Sequence, residues 1–217
     1  MFHWPLFARH LADGRLPGDR LGALMDALAQ TSSSESHPQE LFVSLFGSGE
    51  LTAELCRETI GFHHVGVIAP AGLDVPAVDA VLAGSAFRHR RLTFPSAILT
   101  KDMSARLQRP VELTVVMGHA AGPACWPAVE VFVSNLAAAE LDPVIDGEVG
   151  CHVAVELGPD GSFERVANLL RRHGCQEIPL MQQGPLTNHA IRSRLLYFDV
   201  CRGGRMRRLE FIAPTSR

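Results

Sequence analysis

At 217 residues, with 47% hydrophobic side chains, the chain is long enough to bury a sizeable core and too apolar to be disordered. Its 20 basic and 23 acidic side chains leave a formal charge of −3, which gives no general attraction for nucleic acid or an anionic membrane. No apolar run approaches the roughly 18 residues of a membrane span. The five cysteines are scattered without a CxxC, so they read as reduced thiols, with a cytoplasmic location as the expectation.

Residues 1–60 read as a helical extension. Leu21, Leu24, Met25 and Leu28 recur at helical spacing within Leu16 to Leu28. The polar run from Thr31 to Pro38 is a loop whose end can start a second helix near Pro38. A third helix is expected over Leu51 to Ile60, opened by Ser48 or Gly49. Such an extension either caps the following domain or contributes to a homodimer, and the sequence leaves both open.

From Gly61 the pattern turns to strands. Phe62 to Ala69 predicts a strand and Val75 to Ala83 a short helix. Three further strands are expected over Leu92 to Thr100, Val111 to Met117 and Ala128 to Ser134, punctuated by Pro110, Gly118 and Gly122-Pro123. His119 falls in that Gly-rich connection and is expected to be exposed. The basic clusters Arg88-His89-Arg90-Arg91 and Arg205-Met206-Arg207-Arg208 read as solvated faces. This first module spans 61–140, and a linker with Pro143 and Gly147 follows. A second module, 150–217, repeats the order. Cys151 to Leu157 is a strand, and Ser162 can N-cap a helix from Phe163 to His173 that Gly174 ends. Gln176 to Pro179 is extended. Ser193 to Cys201 and Met206 to Ala213 are strands joined by a tight turn at Arg202-Gly203-Gly204-Arg205. Each half therefore reads strand, helix, strand, strand, strand.

A short pattern marks both halves. His64-Val65-Gly66-Val67 is echoed by His152-Val153-Ala154-Val155, and each copy leads to an acid on an apolar strand, Glu130 and Glu210. The separations are similar, 66 residues from His64 to Glu130 and 58 from His152 to Glu210. A carboxylate among apolar strand neighbours costs several kcal/mol unless it is paired or coordinated. Neutral imidazole with carboxylate suits Fe, Zn, Ni or Mn, and two such pairs would leave room for water or substrate oxygens. His63 precedes His64, so strand register decides which imidazole faces the acid; the repeat favours His64.

At these residues the chain resembles the vicinal oxygen chelate superfamily, which includes glyoxalase I, methylmalonyl-CoA epimerase, extradiol dioxygenases and the fosfomycin and bleomycin resistance proteins. The resemblance covers about residues 61–214. It implies an α+β fold of paired βαβββ modules forming a cupped, open mixed sheet around one divalent metal shared by both modules. Carried over, His64, His152, Glu130 and Glu210 would be the ligands, with Glu130 or Glu210 also moving a proton, as in glyoxalase-like isomerase or lyase chemistry on a small molecule that chelates through adjacent oxygens. Two alternatives stand beside this one. An Fe(II) dioxygenase would use His64, His152 and Glu210, leaving Glu130 as a bystander or base. A metal-free binding or resistance protein would need none of these residues. His189, Arg192, Arg194 and Tyr197 are candidate substrate contacts: the arginines suit a carboxylate or phosphate, and Tyr197 is a proton donor or a half-buried strand aromatic.

Overall fold

A computed structural model describes residues 18–29, 38–69, 72–96, 100, 104–105, 107–121, 127–136, 152–158, 162–178, 193–202 and 205–214. The chain is an α+β protein that divides into two units: Met1–Glu35 with His64–Cys151, and Ser36–His63 with His152–Arg217. The helical extension is thus split, its first helix belonging to the first unit and the next two to the second. No helix among the described residues is long and apolar enough to cross a membrane.

In the first unit, helix α1 (Gly18–Ala29) buries Leu21, Leu24, Met25 and Leu28, the face set by their helical spacing. Strand β1 (Thr59–Ile68) crosses into this unit at His64. Helix α4 (Val75–Ala83) follows, N-capped by Asp74, whose carboxylate accepts from the Ala77 amide at 2.8 Å. Then come β2 (Arg90–Pro95), β3 (Leu113–His119) and β4 (Ala128–Ser134). Strand order is β2-β3-β4-β1, with β1 parallel to β4 and the other pairs antiparallel. Alternation sorts the side chains. One face carries the apolar cluster of Ile68, Leu113, Val115, Met117, Ala128 and Phe132. The other face turns Val65, Val67, Val116, Val129 and Val131 inward, on the side of Leu82 and Phe87, which lie against Gly118. β2 begins two residues earlier than expected and ends at Pro95, while β3 runs two residues past Met117.

The second unit begins with α2 (Gln39–Phe46) and α3 (Glu50–Glu58). Strand β5 (His152–Leu157), helix α5 (Phe163–Arg172) and strands β6 (Gln176–Ile178), β7 (Ser193–Arg202) and β8 (Arg205–Pro214) complete it. The strands run β5-β8-β7-β6, again with one parallel pair, β5 and β8, and antiparallel neighbours. α5 buries Phe163, Val166, Ala167, Leu169 and Leu170. Phe42 of α2 stacks on Phe211 of β8, ring centroids 6.5 Å apart. Glu58, the last residue of α3, accepts from the Ser162 amide at 3.0 Å and from Arg165 at 2.9 and 3.1 Å, tying α3 to the start of α5.

Candidate metal centre

The histidine–glutamate pairs come from the parallel strand pair of each unit. In the first unit β1 runs beside β4 with His64 opposite Ala128 and Gly66 opposite Glu130. The acid therefore sits diagonally from the imidazole, on the same face and one pleat along. His64 Nε2 and Glu130 Oε2 are 3.4 Å apart. In the second unit His152 lies opposite Arg208 and Ala154 opposite Glu210, the same diagonal, with His152 Nε2 3.2 Å from Glu210 Oε2. The third residue of each repeated motif, Gly66 or Ala154, faces the acid across the strands. A small side chain there leaves the carboxylate room to reach the imidazole.

His64 and His152 are 4% and 8% exposed and Glu210 is 3% exposed. The Glu130 side chain keeps 15% exposure. His63 is half-buried and, as the next residue along β1, points to the opposite face. The donor chemistry fits a divalent ion. Two donors each about 2.1 Å from one ion stand about 3.0 Å apart at a right angle and about 3.4 Å apart at a tetrahedral angle. Both observed separations lie in or near that range, and the longer one exceeds a good N–H···O hydrogen bond.

Tyr197 joins the second pair. It lies opposite Glu210 in the β7–β8 register, and its ring meets His152 edge-on at 6.4 Å. It is half-buried. Arg194 lies on β7 opposite Ala213; its side chain, like the whole of His189 and Arg192, falls outside the described residues.

No protein-family model matches the chain, and no curated protein matches it. Solved structures with a similar chain path do exist. One is a methylmalonyl-CoA epimerase from Mycobacterium tuberculosis, 12% identical, covering 73% of this chain and 90% of that one, TM-score 0.42. A Streptomyces coelicolor methylmalonyl-CoA epimerase variant in complex with 2-nitronate-propionyl-CoA is 11% identical over 73% of this chain and 99% of that one, TM-score 0.38. A methylmalonyl-CoA epimerase in complex with methylmalonyl-CoA and NH4+ is 11% identical over 73% and 96%, TM-score 0.38. Likeness this distant assigns no activity.

The residue that sequence reasoning missed is His119. It is the last residue of β3, half-buried, with its Nε2 fully enclosed, not exposed in a connection. Burial pushes its pKa down; electrostatic interaction with Arg90, His64 and His89 adds to this, and Glu130 acts in the opposite sense. The signal was present in the alternation Val115, Met117, His119, which continues past Gly118. Burial also raises the pKa of the Cys56 and Cys175 thiols, which disfavours the thiolate a nucleophile would need.

Proposed function

We propose that this chain is a divalent-metal-dependent enzyme acting on a small molecule that offers two adjacent oxygens, with isomerase or lyase chemistry of the glyoxalase kind. The observation that carries the reading is the same buried imidazole–carboxylate diagonal in both units, His64 with Glu130 and His152 with Glu210. A single unpaired histidine or strand glutamate would be ordinary; two copies at matching register are not. In this reading the imidazole–carboxylate pair of each unit supplies ligands to a divalent ion. When bound, the ion would act as a Lewis acid that stabilises negative charge on the substrate oxygens.

The chain's own residues then divide the remaining work. Glu210, almost fully buried beside His152, is a holding group. Glu130 keeps enough exposure to meet a substrate hydrogen and is the proton carrier of choice. Tyr197, edge-on to His152, would steady that ring and offer a hydroxyl to a bound oxygen. A cytoplasmic location and a homodimer accompany this reading as expectations.

Elemental analysis of the purified protein tests it. Bound Zn, Ni or Mn is expected, and His64→Ala and His152→Ala should each lose at least half of it. Retention of metal by both variants, or no uptake by the wild type on reconstitution, sinks the proposal. An equivalent of iron would move the reaction to oxygenation. Two equivalents would mean that each pair holds its own ion.

A further inference from the structure

In the first unit one register row runs across four strands as Arg90, His119, Ala128 and His64. The row beside it runs Leu92, Met117, Glu130 and Gly66. Residues facing one another across strands share a face, as do residues two apart along a strand, so His119, His64 and Glu130 stand on one face. In this row Ala128, with a single methyl side chain, is the residue between His119 and His64.

Among the described residues, His119 Nε2 is the one buried side-chain polar atom without a hydrogen-bond partner. Such groups are rare because their lost hydration is not recovered. The second unit shows the same row answered. There the sequence across the strands is Asp199, Arg208 and His152. Arg208, at the position of Ala128, donates to Asp199, at the position of His119, over 3.1 and 3.4 Å. The first unit has the same frame with the central side chain cut back and the outer one left unanswered.

We propose that His119 is a substrate contact: its Nε2–H donates to an oxygen of the molecule held at His64 and Glu130, over the methyl group of Ala128. This rests on the metal-dependent reading above. Neighbouring strands lie about 4.8 Å apart, so His119 and His64 rise from backbones about 10 Å apart. A molecule of a few heavy atoms spans that interval. Arg90, next in the row and within electrostatic reach of His119, favours an oxygen that carries negative charge. The substrate class this selects is a small carboxylate whose remaining oxygens chelate the metal, such as a 2-oxo or 2-hydroxy acid.

Pyruvate is the probe, since it can chelate through its ketone and one carboxylate oxygen and leave the other free to accept from His119. The full chain is loaded with Co(II) and titrated with pyruvate, read by the visible spectrum of the ion, with Co(II) affinity measured separately. His119→Phe keeps a ring without a polar atom; His119→Gln restores a donor near the same place. Thermal melting followed by circular dichroism checks that each variant is folded. The expected result is Co(II) affinity within about threefold of wild type in both variants. Pyruvate binding should be weakened about tenfold in His119→Phe and recover most of that in His119→Gln. Equal pyruvate affinity in wild type and His119→Phe, or no spectral response of the wild type to pyruvate, overturns the proposal while leaving the metal reading intact. A Co(II) affinity that falls more than tenfold in both variants also overturns it, by making His119 a ligand. A wild type that binds no Co(II) removes the metal reading itself, and this inference with it.

Discussion

Gly118 shows how one residue governs what its neighbour can do. A Cβ there would stand 2.6 Å from the Phe87 carbonyl oxygen, 3.1 Å from the Phe87 Cβ and 3.3 Å from Leu82 Cδ1. Two of those atoms belong to a backbone and its first carbon, which cannot swing aside. Gly118→Ala is therefore expected to destabilise the protein by about 1–3 kcal/mol, because β3 must shift away from Phe87. Urea denaturation measures this, and a change below about 0.5 kcal/mol would show that β3 moves off Phe87 without cost. The same residue explains a misreading. In sequence Gly118 looks like punctuation, so the strand was expected to stop at Met117 and His119 to be exposed. The strand in fact passes through it, because a second chain segment needs the missing side chain. His64 and Glu130 were easier to find: each is a polar residue beside apolar strand neighbours, and the second module repeats both.

At the scale of elements, local chemistry made the helices legible. α5 carries both of its own signals. The Ser162 hydroxyl accepts from the Arg165 amide at 3.2 Å, and Gly174 takes a positive φ of 76° just past the end. Ser162→Ala should cost about 1 kcal/mol. The loss stays near that value because Glu58 still accepts from the backbone amide of residue 162. A Tm unchanged by Ser162→Ala would mean that Glu58 alone caps the helix. That second cap was not legible, since Glu58 and Ser162 lie 104 residues apart and nothing local links them. The short strand β6 (Gln176–Ile178) was the least distinct feature of the sequence, and it is held by pairing with β7 rather than by its own pattern. β2 was displaced for a similar reason: a strand was expected over Leu92 to Thr100, whereas the pairing with β3 runs from Arg90 to Pro95.

For the whole molecule, the readable signal was the doubling, strand, helix and three strands in each half with one histidine and one glutamate apiece. What the sequence could not give was register, because a single-residue slip exchanges the two faces. Register is what sets Ala128 and Arg208 in matching places. Arg208 and Asp199 are 10% and 18% exposed, so breaking their ion pair strands a partly buried carboxylate. Arg208→Ala should destabilise the protein by about 1–3 kcal/mol, measured by chemical denaturation; a loss below about 0.3 kcal/mol would place this pair with the surface bridges that contribute nothing. The two rows have a further consequence. A polypeptide that writes one framework twice contains its own reference experiment. Exchanging the side chains of one row for those of the other, His119→Asp with Ala128→Arg, asks whether the first half can be made self-sufficient like the second, and what capability disappears when it is.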